Sequence, residues 1–157
     1  LLNTYITDPV TMQMQSQLKV INTSNGALMA HLQCPAVERS IIVVGNKPEV
    51  ACIDQSGCIS LFEIKTGRLL WKSSQNDGRF YQIASSPSGN YIAAVYNNSF
   101  TIWDAQTGRR LESADNYNNV DGWNTPQTRH GLVFSHNSRL LYFTNQGHVE
   151  IWPIHAP

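Results

Sequence analysis

The sequence lacks the features that would place this chain in several large functional classes. Its 157 residues carry 11 basic and 11 acidic side chains, so no net charge draws the chain to nucleic acid or to an anionic membrane. No apolar run reaches the roughly 18 residues of a membrane-spanning helix, and no basic and then apolar N-terminus predicts a signal peptide. We therefore expect no nucleic-acid partner and no membrane span, and we predict a cytoplasmic location.

Cysteine and histidine are too few and too scattered to predict a metal site or a disulfide framework. Cys34, Cys52 and Cys58 match neither kind of spacing. We expect reduced, buried thiols, which favours an intracellular setting. The five histidines fall in no ligand spacing, and none pairs with a cysteine or a carboxylate as a zinc site requires. The sequence therefore predicts no metal and no cofactor.

Motifs that carry catalysis are missing as well. The chain has no Gly-x-Ser-x-Gly elbow, no Cys–His signature and no phosphate-binding glycine loop. Asp54 and Asp104 fall at predicted turns, where a carboxylate more often accepts backbone N–H groups than abstracts a proton. We therefore predict that the chain is not an enzyme.

What the sequence does contain is a repeat. Turn glycines recur every 41 residues, at Gly26, Gly67 and Gly108. A fourth copy ends at Trp152, which lies 49 residues after Trp103 and implies an insertion of eight residues. Repeat periods of about 40 to 45 residues are typical of propellers and of helical arrays.

Each repeat unit is predicted to hold four short strands rather than helices. In the third unit these strands fall at residues 80–84, 91–96, 99–103 and 109–113. Segments 41–44, 91–96 and 140–143 are apolar on both alternating faces, so such strands must be covered on both sides. Small antiparallel sheets that stack face to face around an axis meet this demand. The sequence thus predicts an all-β fold, a β-propeller.

Two known families resemble these units. Residues 86–89 stand where a WD40 repeat has a serine-proline-aspartate-glycine turn, and Trp103-Asp104 closes the third strand as its Trp-Asp pair does. The second unit is similar to the quinoprotein-type propeller repeat, because a Thr-Gly turn in residues 66–71 is followed by Leu-Leu-Trp. The usual WD40 aspartate between the second and third strands is replaced by Ser56, Asn97 and Gln146.

The repeat also divides the chain. The predicted parts are blade 1 (1–36), blade 2 (37–78), blade 3 (79–115), an inserted loop (116–127) and blade 4 (128–157). We expect Leu1-Leu2 to fall within a first strand and blade 4 to lack its fourth strand. About four blades of four-stranded sheet are then half of a seven- or eight-bladed ring, whose missing strand comes from upstream sequence or another chain. The alternative is a closed four-bladed ring.

Two groups of residues are candidate binding sites. The inserted loop holds Tyr117, Asp121 and Trp123, and binding concentrates on loops carried by a rigid scaffold. The alternative is that Trp123 folds back onto its own blade. The second group lies in the hairpins after the third strands, where it could meet an acidic partner or a phosphoinositide, although solvated turns have a similar composition. This candidate basic rim consists of Lys65, Arg68, Arg109 and Arg110.

The resemblance implies a non-catalytic scaffold that mediates protein–protein interaction within a multiprotein assembly. Its expected partners are other proteins and the remaining blades of the same propeller. The alternative is a quinoprotein-like enzyme, or a propeller that binds a small ligand or a glycan. Such enzymes bind a quinone at the ring axis with a metal ion and carboxylates, and no carboxylate cluster stands at the matching strand ends of this sequence.

Overall fold

The computed structural model shows an all-β chain. It describes residues 2–7, 14–32, 36–54, 56–74, 80, 82–96, 99–114, 131–145 and 148–155. Within these ranges every regular element is a β-strand, and no helix is present that is long and apolar enough to cross a membrane. The prediction of an all-β fold is confirmed.

The described residues form fourteen strands, each of which pairs antiparallel with its neighbour in sequence except where one sheet ends and the next begins. In chain order they are β1 (Leu2–Thr7), β2 (Met14–Ile21), β3 (Leu28–Leu32), β4 (Ala36–Val43), β5 (Glu49–Asp54), β6 (Ile59–Glu63), β7 (Leu69–Lys72), β8 (Gln82–Ser85), β9 (Tyr91–Tyr96), β10 (Ser99–Asp104), β11 (Arg110–Ala114), β12 (Leu132–Phe134), β13 (Leu140–Asn145) and β14 (His148–Pro153).

Four sheets result from this pairing. Their strand orders are β1-β2-β3, β4-β5-β6-β7, β8-β9-β10-β11 and β12-β13-β14. The middle two sheets have the four strands expected of a blade, whereas the described residues of the first and last sheets supply three each. Short hairpins allow antiparallel strands to pair with their sequence neighbours, which explains the simple order. The blade boundaries themselves stay a prediction.

The first sheet begins one strand later than the repeat predicts. Leu1-Leu2 were expected to fall in a first strand, but Leu2 belongs to β1, which pairs with β2 as β5 pairs with β6 and so holds the second-strand position. The difference arises because Leu2 pairs with Lys19, whereas the repeat equivalent of Lys19, Ser60, pairs with Cys52. The hairpin of β1 and β2 therefore has longer paired arms than its counterpart, since Leu2 and its partner are 17 residues apart (19 − 2) whereas Cys52 and its partner are eight apart (60 − 52), and this length places Leu2 in a second strand.

The hairpins at the repeat glycines are nearly identical in three sheets. A β-bulge recurs at residues 20–21, 61–62 and 102–103, and a glycine with positive φ ends each following turn. At Gly67, φ is 73°, and a Cβ would lie 2.6 Å from the His31 carbonyl oxygen. Glycine is required there both by backbone conformation and by space. The 41-residue period is therefore a period of turn geometry as well as of sequence.

Contacts divide the chain into two compact units, Leu1–Val43 with Pro48–Arg79 and Val44–Lys47 with Phe80–Pro157. In the first unit, one face of the first sheet packs on one face of the second. The buried residues of this core are Leu18, Val20, Ala30, Leu32, Val50, Cys52 and Phe62. Each sheet alone would leave this apolar face in water, so the packing is what stabilises the unit.

The second unit has a core of the same kind between the third and fourth sheets. Its buried residues are Ala93, Val95, Phe100, Ile102, Leu132, Phe134, Leu141 and Phe143. Phe100 also meets Trp152 edge to face, with 5.2 Å between ring centroids, and Phe80 meets Trp103 in the same way at 5.1 Å. Trp103 is only 1% exposed, and Phe62, which lies 41 residues earlier at the same repeat position, is 4% exposed.

Strand β9 shows why such sheets need cover on both sides. Ile92 and Ala94 lie on one face, Ala93 and Val95 on the other, and all four side chains are 0% exposed. The same expectation for segment 41–44 holds only in part, because Val43 is 50% exposed.

One expectation about the cysteines is wrong. Cys52 is disulfide-bonded, whereas a reduced thiol was expected. Cys58 is buried and is not in a disulfide. Disulfides persist mainly in oxidising compartments, so the argument from reduced thiols to an intracellular setting no longer supports the predicted cytoplasmic location, which stays untested.

Replacing Trp103 with alanine should lower the free energy of unfolding by about 3–5 kcal/mol, because a large buried aromatic leaves a cavity and loses its transfer free energy. Urea denaturation followed by circular dichroism measures this change. Gln106→Ala is the control, since Gln106 is exposed in a nearby turn and its replacement should have little effect. Equal losses for the two variants would contradict the packing role.

The disulfide predicts a difference in alkylation. In protein denatured without reductant, iodoacetamide should label Cys58 and leave Cys52 unlabelled, because the thiolate is the reacting species and a disulfide has none. Peptide mapping by mass spectrometry after reduction and a second, heavier label reads out both sites. Labelling of Cys52 before reduction shows that the bond is absent.

Candidate functional site

The basic residues of the candidate rim all lie at exposed positions of the hairpins that follow the third strands. Lys65 and Arg68 belong to the turn between β6 and β7 in the first unit. Arg109 and Arg110 follow the turn between β10 and β11 in the second unit. Each pair is thus in the predicted kind of turn, and whether the two pairs form one binding surface stays a prediction.

Hydrogen bonds hold the turn of the second unit rigidly. The Asp104 carboxylate accepts from the Gln106 backbone N–H at 3.0 Å, and from the Thr107 backbone N–H at 2.7 Å and hydroxyl at 2.8 Å. Partial burial raises the pKa of Asp104, but the hydrogen bonds from Thr107 and Gln106 and the charge of Arg109 together hold that pKa below its ordinary value. Asp104 therefore organises the backbone, as expected for a turn carboxylate.

The basic residues of the rim differ in their hydrogen-bond and ion-pair partners. The Arg110 guanidinium donates to the Ser113 hydroxyl. No carboxylate of the described residues lies within ion-pair distance of Lys65, Arg68 or Arg109. Their charges are consequently open to a partner, apart from the influence of Asp104 on Arg109.

A second set of turns lies beside the basic hairpins at the same sheet edges. The Ile64 N–H donates to the Pro48 carbonyl at 2.8 Å, and the Ala105 N–H donates to the Asn90 carbonyl at 2.8 Å. In the fourth sheet, the Ile154 N–H donates to the Arg139 carbonyl at 2.9 Å. In each of these three sheets, the turn between the first and second strands therefore lies at the same sheet edge as the segment that follows the third strand.

Two cations on these turns escaped the sequence reasoning, namely Lys47 and Arg139. Only the basic residues of the glycine hairpins were singled out, because those hairpins match in sequence. The turns that carry Lys47 and Arg139 match more weakly, although they hold the repeat position of residues 86–90. An alignment of all turns of the repeat, and not of the glycine hairpins alone, would have identified both residues.

The residues of the inserted loop lie outside the described residues. Tyr117, Asp121 and Trp123 fall between the described ranges 99–114 and 131–145. Their role as a binding site stays a prediction.

Asp54 is tied into the second sheet. Its Oδ1 accepts from the Ser56 N–H at 2.8 Å and from the Cys58 N–H at 3.0 Å, and its Oδ2 lies 2.7 Å from the Lys72 ammonium. The hydrogen bond that the Lys72 ammonium donates to the Asp54 carboxylate is the main cause that raises the pKa of Lys72. The carboxylate links the hairpin between β5 and β6 to the outer strand β7, which is a structural role.

Glu112 makes a comparable link in the second unit, and the sequence did not single it out. The Trp152 indole N–H donates to Glu112 Oε2 at 2.8 Å, and the His155 backbone N–H donates to Oε1 at 2.8 Å. Strand β11 of the third sheet is thereby bonded to the last strand of the fourth. No group of three or more His, Cys, Asp or Glu side chains among the described residues could hold a metal ion.

Lys72→Met should destabilise the protein by about 1 kcal/mol at neutral pH, since Lys72 is half exposed and water screens the pair. The folded state raises the pKa of Lys72, so this contribution is complete below the ordinary pKa of 10.5 and is lost as pH rises through the higher folded value. Urea denaturation of wild type and variant between neutral pH and pH 11 measures the difference, with Lys19→Met as control. A difference that is constant over this range contradicts the ion pair.

Comparison with known proteins supports a propeller. No protein-family model matches the chain, and no curated protein matches it. Among solved structures it is similar to the WD40 repeats of RRP9, with TM-score 0.59 and 20% identity over 76% of this chain and 37% of that one. The structure of U3-55K has the same values. BamB from Moraxella catarrhalis matches with TM-score 0.60 and 19% identity, over 90% of this chain and 39% of BamB.

The similarity extends to both families that the sequence resembles. The chain spans only 37% to 39% of the length of these structures. The repeat, the antiparallel sheets and the recurrent turns agree with it. The chain therefore has the fold of the WD40 and quinoprotein-like β-propeller repeats.

Proposed function

We propose that this chain is part of a non-catalytic propeller scaffold that holds other proteins within a multiprotein assembly. The observation that carries the proposal is a set of exposed cations on rigid hairpins. Lys65, Arg68 and Arg109 stand on hydrogen-bonded turns, and no carboxylate of the described residues neutralises them by an ion pair. A rigid support lowers the entropic cost of binding, which makes such turns suitable contacts for a partner.

The inserted loop is a second proposed binding site. Tyr and Trp are frequent anchors at protein interfaces because each offers a large contact area with few rotatable bonds. Tyr117 and Trp123 are such side chains, and Asp121 lies between them in sequence. We assign these three residues to partner binding.

The remaining blades of the same propeller are the proposed cover of the last sheet. Ile151 pairs with Tyr142, which pairs with Val133, so the three side chains form a row on one face of the sheet. Val133 is 57% and Ile151 is 61% exposed, as is Val149 at 64%. The opposite face is covered by the third sheet. A similar sheet, supplied by the part of a propeller that this chain does not span, would bury the row.

Partner recovery tests the scaffold function. Trp123→Ala should leave the stability of the full-length protein within about 0.5 kcal/mol of wild type. It should reduce the amount of co-purified partner about tenfold or more, since interface aromatics are often hot spots. Quantitative mass spectrometry after affinity purification measures recovery, and thermal unfolding measures stability. Tyr96→Ala is the matched control, because Tyr96 is an exposed aromatic outside the loop.

Two outcomes would overturn parts of this proposal. If Trp123→Ala unfolds the protein, the loop is structural and the assigned site is wrong. The competing hypothesis is a quinoprotein-like enzyme, or a propeller that binds a small ligand or a glycan. An absorbance spectrum and metal analysis of the full-length protein distinguish the enzyme from the scaffold, because a bound quinone is incompatible with a non-catalytic role.

A further inference from the structure

Three turns of the second unit lie against one another and form one continuous surface. They comprise residues 44–47, 86–90 and 135–139, and we name them the triple-turn surface. The first two approach each other so closely that a Cβ on Gly45 would lie 2.5 Å from the backbone nitrogen of Gly89. The second and third are joined because the Ser88 N–H donates to the Ser138 hydroxyl at 3.1 Å.

Ser138 shows that the third turn is held against a conformational preference. Its φ is 60°, a left-handed conformation that side chains other than those of Gly, Asn and Asp rarely adopt. Gly89 holds the same position in the second turn, with φ 70°. A serine in this conformation strains the backbone, but its hydroxyl oxygen accepts the hydrogen bond from the Ser88 N–H. The strain is therefore coupled to the joining of the two turns.

The side chain of Lys47, in the first turn, packs against Gly89 of the second turn. A Cβ on Gly89 would lie 3.2 Å from Lys47 Cγ and 3.3 Å from both Cδ and Cε, so the aliphatic stem covers the glycine. Burial of the stem with the charge left near water is a common arrangement for lysine. No carboxylate of the described residues lies within ion-pair distance of the ammonium.

Arg139 supplies a second cation at the third turn. Its backbone N–H donates to Asn137 Oδ1 at 3.1 Å, and its carbonyl accepts from the Ile154 N–H at 2.9 Å, so its main chain is fixed at both groups. The side chain is exposed, and none of the described carboxylates forms an ion pair with it.

The ionisable side chains of the triple-turn surface are all basic. Its residues include Lys47, His136 and Arg139 but no aspartate and no glutamate. Ser88, Asn90 and Asn137 of the same turns are exposed and offer further hydrogen-bonding groups. A surface with separated cations and polar groups is complementary to carboxylates spaced along an extended polypeptide.

We propose that the triple-turn surface binds an acidic segment of a protein partner, with Lys47 and Arg139 as the charged contacts. The proposal rests on the scaffold function and names the chemistry of one of its partners. A nucleic acid fits less well, because the chain has no net charge to attract a polyanion. Carboxylates of an extended peptide, at about 3.3 Å per residue, can reach cations on different turns.

Peptide binding to the full-length protein tests this proposal. The probe is a fluorescent peptide in which Glu alternates with Gly and Ser, and a second peptide with Gln in place of Glu is the charge control. Fluorescence anisotropy at low salt gives the affinity. Lys47→Met retains the stem over Gly89 and removes the charge, Arg139→Gln removes the second charge, and Lys19→Met is the matched control in the first unit. Thermal unfolding confirms that each variant is folded.

We expect the Glu peptide to bind and the Gln peptide not to bind. Each of Lys47→Met and Arg139→Gln should weaken binding about two- to fivefold, as exposed charge pairs do, and Lys19→Met should not. Equal affinity for both peptides, or no effect of either variant, overturns the proposal. So does tighter binding of single-stranded DNA that depends on the same two residues.

The peptide-binding and partner-recovery experiments distinguish a wrong triple-turn surface from a wrong scaffold function. If peptide binding is absent while Trp123→Ala still reduces partner recovery, the scaffold function stands and the triple-turn surface is wrong. If partner recovery is unaffected by Trp123→Ala while the peptide binds through Lys47, the loop assignment is wrong and the acidic-segment site stands.

Discussion

Burial of both faces of a sheet is the constraint on which the rest of this structure depends. Strand β9 has no exposed face, since Ile92 and Ala94 on one side and Ala93 and Val95 on the other are fully buried. A lone sheet with such strands would expose apolar surface at a cost of about 25 cal/mol per Å². Repetition meets this demand, because within each compact unit one sheet covers an apolar face of its neighbour. Trp103 and Phe62 occupy one repeat position and are both buried for this reason.

The same packing leaves the turns at the sheet edges in water, and it is there that the proposed binding chemistry lies. Backbone hydrogen bonds such as Ala105 to Asn90 hold neighbouring turns together, and side chains such as Asp104 close individual turns. The apolar core therefore supplies rigidity, whereas the turns supply charge and hydrogen-bonding groups. Lys47 belongs to both, because its stem packs on Gly89 while its ammonium stays without an ionic partner among the described residues.

Much of the fold could be predicted because it depends on local signals that repeat. Gly26, Gly67 and Gly108 mark turns with positive φ, and their spacing identified the period. The position of β1 could not be predicted, since it depends on the length of one hairpin, and pairing across that hairpin starts from Leu2. The disulfide of Cys52 was missed for a related reason: no spacing along a sequence reports which cysteine approaches another in space.

By itself the sequence determined that the chain is all-β and that the turns of Gly26, Gly67 and Gly108 recur every 41 residues. These features follow from side-chain periodicity and turn chemistry, which act over a few residues. Only the tertiary structure decided that Glu112 bonds the Trp152 indole, that Asp54 holds Lys72, and that Lys47 and Arg139 share a surface. Each of these depends on how separate strands or turns approach one another, and that approach is set by the packing of whole sheets, not by neighbours in the chain.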